Sequence, residues 1–251
     1  AMDKGAMHVH PEVWMPNQEN LHDTYVQEKG SVVMNTNPVQ AEQGMCVPTF
    51  IAEEHDITHI DDLTDPEKIA IFDTDGNGTP EVWVGAPGWA STVVEKVRAR
   101  SYGYDATMEL TEFDETIAYA NLANAIEAKE PWIGFCYSPH YIFVMHDLTV
   151  LEEPAHDPAT WNIVQPTDDA NWLEKSKAST AWKGATLHLH YSKILQEEYP
   201  EVAALFDAYE MPGDALSAMG KALAVDGEDP EKFARQWVSE NEDLVLGWLT
   251  Q

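Results

Sequence analysis

The apolar positions of this chain follow two periods. Short stretches alternate, as half-buried strands do; longer ones repeat every three to four residues, as helices do. Residues 7–15 (MHVHPEVWM) alternate and run into a loop at Pro16 and Asn17, which puts Glu12 and Trp14 on one face and Val13 on the other. Residues 31–35 (SVVMN) predict a short strand, and 43–52 (QGMCVPTFIA) another, with Pro48 at a crossing or edge position. Residues 132–137 (WIGFCY) read as a buried strand and 186–191 (TLHLHY) as an alternating one. Helix signals lie between and after them. Thr64, Pro66 and Glu67 give a polar cap, an early proline and an acid in the first turn. Val93, Val94 and Val97 share a helical face, and residues 114–129 form an amphipathic helix stopped before Pro131. From Ser192 the chain is helical, with a break at Pro212 and Gly213. Asp229 caps a last helix that carries Phe233, Trp237, Leu244 and Trp248 near one stripe. Residues 145–182 are loop-rich. Strands alternating with helices predict α/β architecture, with a middle block of its own flanked by strands before and helices after.

Charge changes the picture of partners. The 251 residues carry 14 Lys and Arg against 44 Asp and Glu, a formal charge of −30 spread along the chain. Such a surface repels phosphate backbones and anionic lipid heads, so nucleic acid and membrane surface are poor partners. The apolar runs are far short of a bilayer span, which excludes direct membrane insertion by a helix. The chain opens with Ala1, Met2 and Asp3, which reads as a processed or trimmed form, or a fragment. Cys46 and Cys136 stand far apart in apolar, strand-like contexts and read as buried free thiols rather than a disulfide.

Residues 73–81 (DTDGNGTPE) place oxygens at every second position and then a glycine. That is the opening half of an EF-hand loop: side chains of Asp73, Asp75 and Asn77, the carbonyl of Thr79, and Glu81 at the ninth position, around one Ca²⁺. Val84 stands where the bidentate glutamate belongs, so the expectation is a structural calcium loop rather than a sensor. The competing reading is a turn that binds nothing. Residues 85–91 (GAPGWAS) then set Trp89 on a tight loop before a helix.

Catalytic constellations are thin. GxSxG, Walker A and GxGxxG are absent. His8 with His10, and His188 with His190, are the rival signal, since two His-x-His pairs can bind zinc; with no cysteine or HExxH context beside them, histidines alternating along a sheet face are the favoured reading. The nine tryptophans are more informative. Most belong in the core, but Trp14, Trp89, Tyr137 and Trp182 lie near strand ends, where converging rings make a box for an alkylated ammonium.

In this pattern the chain resembles the glycine betaine, choline and trimethylamine N-oxide substrate-binding proteins of bacterial ABC importers. The residues that carry the resemblance are PEVWMPN (11–17), FDTDGNG (72–78) with GAPGW (85–89), FCYSPHYIF (135–143) and DPEKFARQWV (229–238). Within that family the chain looks most like the trimethylamine N-oxide binders of marine bacteria. The resemblance implies a two-lobe, type II-like periplasmic-binding-protein fold with hinge-crossing strands that closes on its ligand. Lobe I would comprise 1–49 and 180–251, with its N-terminal part missing, and lobe II 50–179. It implies a non-enzymatic, monomeric, periplasmic protein whose partners are a small methylated amine and the permease and ATPase subunits. Trp14 and Trp89 match box tryptophans, Tyr137 stands where many members have tryptophan, and Trp182 is a fourth wall. Glu12 is the first candidate for the acid at the ligand's polar end, with Glu81 and Glu115 behind it; Lys183 is the one cation near the box motifs. Choline or glycine betaine in the same fold is the alternative ligand, and a His-x-His metalloenzyme the alternative class.

Overall fold

The computed structural model describes residues 1–250 and divides the chain into two compact units. The first comprises residues 1–42, 138–144 and 184–251; the second, 43–137 and 145–183.

The first unit is built on the strand Ala185–Ser192. It pairs antiparallel with Val9–Met15, from Val9 opposite Tyr191 to Met15 opposite Thr186. It also pairs antiparallel with Val32–Met34 and with the beginning of Val39–Pro48. The period of two sorts its side chains. Leu187, Leu189 and Tyr191 enter apolar clusters with Val39, Ala41, Leu195, Ala203 and Met211. Thr186, His188 and His190 take the other face. The helices Pro200–Ala208, Gly213–Ala224, Pro230–Glu240 and Glu242–Leu249 follow in this unit. Trp237 and Trp248 stack with centroids 6.2 Å apart and pack, with Trp14, on the Val39–Leu187 cluster.

The second unit holds three parallel strands. Glu81–Trp83 pairs on one side with Glu109–Thr111 and on the other with Gly134–Ser138. Each of the first two is followed by a helix, Ala90–Tyr102 and Glu115–Ala128, as a parallel connection requires. The latter helix starts cleanly because Asp114 accepts the Thr116 N–H at 2.9 Å. Two expectations are corrected here. The stretch 43–52 is not one strand: the strand ends at Pro48, whose backbone nitrogen carries no hydrogen to continue a ladder, and Thr49–His55 is helical. Cys46 and Cys136 are not free thiols. They form a disulfide, Cα–Cα 5.8 Å, because the sheet lays Val39–Pro48 beside Gly134–Ser138. A sequence separation of 90 hid that adjacency.

Buried charge distinguishes this unit. Arg98 and Glu95, on the helix Ala90–Tyr102, are both fully buried. Arg98 donates to Glu153 at 2.5 and 2.6 Å and to the Thr180 carbonyl at 2.8 Å. Tyr102 also donates to Glu153. Burial pushes the Glu95 carboxyl up, against the pull of Arg98.

Candidate functional site

The carboxyl ends of the three parallel strands hold the candidate site of the second unit, where open α/β sheets present ligand groups. Glycine shapes the first. At Gly85 φ is +127°, and a Cβ there would stand 2.3 Å from Thr92 Oγ1. That hydroxyl donates to the Ala86 carbonyl at 2.7 Å and ties the loop to the helix it starts. Trp89 therefore comes off a rigid turn, half-buried, directly before Ala90–Tyr102. Its ring lies 5.9 Å from that of Tyr137 at 77°, and 5.9 Å from that of Trp83 at 70°. Trp83 is buried, with its indole N–H on the Phe113 carbonyl at 3.1 Å, and forms the wall behind.

Glu115 comes from the first turn of its helix, one residue after the cap, where the dipole favours an anion. The Tyr137 hydroxyl donates to Glu115 Oε1. Two aromatic faces near a right angle, with a carboxylate at their edge, suit an organic cation: each face contributes roughly 0.5–2 kcal/mol. A separate cavity of about 540 Å³ reaches Thr74, Asp75, Glu81 and Trp83, but neither Trp89 nor Tyr137 lines it.

The remaining expected site residues are placed differently. Trp14 belongs to the first unit, half-buried on the Val39–Leu187 cluster, and its indole N–H donates to the exposed Glu12 at 3.0 Å. The alternation that put both on one face holds. Trp182 is only 8 % exposed. Its indole donates to Glu95 at 2.6 Å, and its face lies 5.8 Å from the Arg98 guanidinium, with Trp161 at 6.0 Å. Lys183 is exposed.

In the 73–81 loop, Asp73 Oδ2 accepts the Gly78 N–H at 3.0 Å, Asp75 Oδ1 that of Asn77 at 2.9 Å, and Asn77 Oδ1 that of Thr79 at 2.8 Å. Glu81 accepts from Thr74, N–H and hydroxyl. Asp73 Oδ1 is buried with no hydrogen-bond partner. Among the described residues, no three His, Cys, Asp or Glu side chains are arranged to hold a metal. The His-x-His motifs are spent differently. His188 is bonded to the Asn35 carbonyl and the Thr186 hydroxyl, and burial pushes His190 down to about 4, so it is neutral at neutral pH.

Comparison with known proteins gives the family and the fold. A family model described as the substrate-binding domain of ABC-type glycine betaine transport systems matches residues 1–240. The glycine betaine/proline betaine-binding periplasmic protein of Salmonella typhimurium is 23 % identical over 220 residues, 84 % of this chain. The chain spans 64 % of that relative's length. The protein of the same description from Escherichia coli is 20 % identical over 242 residues, 95 % of this chain and 72 % of its own. Among solved structures, a choline-binding protein holding choline superposes with TM-score 0.72 at 19 % identity, covering 99 % of this chain and 76 % of that one. A lactococcal protein in its closed form with glycine betaine gives 0.71 at 19 %, covering 99 % and 82 %. These likenesses establish a shared mixed α/β fold. No helix among the described residues is long and apolar enough to cross a membrane. The chain belongs to the family of substrate-binding domains of ABC-type glycine betaine transport systems.

Proposed function

We propose that this protein captures a small methylated amine in the periplasm and delivers it to an ABC permease and its ATPase. The observation that carries the reading is the Trp89–Tyr137 ring pair with Glu115 bonded to the tyrosine hydroxyl. The polar end of the ligand decides among candidates. A choline hydroxyl finds an acceptor in Glu115, and an N-oxide oxygen can take the Tyr137 hydroxyl proton in place of Glu115. The carboxylate of glycine betaine meets like charge instead, in a protein already at −30. We therefore assign trimethylamine N-oxide and choline ahead of glycine betaine, and Glu115 ahead of Glu12 as the acid at the polar end. Calorimetric titration with the three amines tests this. Saturable binding without turnover, with betaine weakest, supports it; binding of none of them, or of betaine alone, contradicts it.

We also propose that the 73–81 loop holds one Ca²⁺ through Asp73, Asp75, Asn77, the Thr79 carbonyl and Glu81. The unpartnered, buried Asp73 Oδ1 supports the assignment, as does the Gly78 N–H folded back onto Asp73, which wraps the chain around a centre. Glu81 has to leave Thr74 to join the ion. The loop leads through Glu81–Trp83 to Trp89, so the ion would stiffen the segment that presents the ring.

A further inference from the structure

The amine site uses no histidine of the first unit, and the fold gathers three of them. His10 and His190 are cross-strand partners, and His22 ends the helix Glu19–His22. All three line one cavity of about 390 Å³. His22 Nδ1 stands 3.5 Å from His190 Nε2, with the rings at 87°. His190 is 3 % exposed, and its Nδ1 has no hydrogen-bond partner.

The separation is informative. It is long for a hydrogen bond, whose heavy atoms favour about 2.9–3.0 Å. It is close to the roughly 3.3 Å between two imidazole nitrogens that each lie about 2.0–2.1 Å from one tetrahedral ion. The rest of the wall selects the ion. Met2 and Met7 line it, and Asp3, its one carboxylate among the described residues, is paired with Lys29 at 3.6 Å. Thioether and imidazole without a free carboxylate is a soft donor set, which favours cuprous copper over zinc, calcium or magnesium. The surroundings fit a built site. The Gln27 amide nitrogen is 3.1 Å from His22 Nε2, and the amide rotated by half a turn presents its oxygen there, fixing the ring with Nδ1 open. Gln27 lies on a π-helix, Asp23–Glu28, a rare conformation that concentrates at functional sites. No three His, Cys, Asp or Glu side chains converge among the described residues, so the third donor has to be sulfur or His10 turned inward.

We propose that this cavity binds one cuprous ion through His22 Nδ1 and His190 Nε2, completed by the Met7 sulfur. The test uses the chain without a histidine tag, titrated with Cu⁺ against a chromophoric cuprous chelator. Ascorbate is the reductant, since it leaves the Cys46–Cys136 disulfide intact. The expected result is one equivalent bound, at least tenfold weaker in His22→Gln and severalfold weaker in Met7→Leu. Zn²⁺ should bind more weakly and ignore Met7→Leu. Met7 is 36 % exposed, so that variant keeps its fold and decides the matter if His22→Gln does not. Methylated-amine binding should be unchanged in both, which separates this site from the amine site. Uptake of no copper by the wild type, or equal affinity in wild type and Met7→Leu, overturns the proposal.

Discussion

Two aromatic groups in the second unit look alike in sequence and differ in what they face. Trp161 and Trp182 surround Arg98, so their faces are occupied by a cation the chain supplies itself. The guanidinium is fixed there by Glu153 and the Thr180 carbonyl. Trp89 stands on a loop after a strand and Tyr137 near the end of Gly134–Ser138, with a carboxylate rather than a guanidinium beside them. The first group is a solved electrostatic problem inside the fold. In the reading proposed here, the second takes its cation from a ligand. The number of rings is therefore a poor guide to a binding box. What counts is whether the cation belongs to the protein.

Substitutions separate the two groups by what they change. Trp182→Ala should cost stability, on the order of 3–5 kcal/mol as for other buried tryptophans, because it opens a cavity and strands Glu95 and Arg98. Chemical denaturation measures it; a change under about 1 kcal/mol would place Trp182 outside the core. Trp89→Ala should leave the denaturation midpoint nearly unmoved and weaken methylated-amine binding more than about tenfold, through one lost cation–π wall. If Trp89→Ala unfolds the chain instead, the contrast between the groups is lost. Glu115→Gln should act on selectivity rather than on overall affinity. Removing the charge narrows the gap between choline and glycine betaine severalfold, read by titrating both ligands into both proteins. An unchanged ratio would remove Glu115 from the polar end of the site.

The smallest expected effect belongs to the calcium loop. Excess Ca²⁺ should raise the melting temperature by a few degrees, as a ligand bound only to the folded state does. EDTA should reverse the rise, Mg²⁺ should substitute poorly, and Asp75→Ala should abolish the response. A metal-free sample that melts at the same temperature with and without Ca²⁺ would leave the loop a turn.

The parts legible in the sequence were local. The Gly85–Trp89 turn, the Asp114 cap and the alternation that pairs Glu12 with Trp14 each depend on residues within a few positions of one another. What escaped depends on sheet order and register. The link from Tyr137 to Glu115 joins the ends of two strands that flank Glu81–Trp83 on opposite sides, so Glu115 ranked only behind Glu12. The disulfide needed the knowledge that two distant strands are adjacent. Glu95 and Arg98, one turn apart among lysines and arginines, carry the pattern of a solvated helix face. Partners far along the chain, Glu153, the Thr180 carbonyl and the Trp182 indole, make their burial tolerable. The meeting of His10, His22 and His190 likewise follows from register, which sequence alone leaves free.

The central claim is that the cation over Trp89 and Tyr137 comes from outside the chain. Tryptophan fluorescence titrated with choline, for wild type and Trp89→Ala side by side, addresses it most directly. The account predicts a saturable change in the wild type, shifted more than about tenfold to higher concentration in the variant at unchanged thermal stability. Identical titrations in the two proteins, or no saturable change in the wild type with choline, trimethylamine N-oxide or glycine betaine, would contradict it.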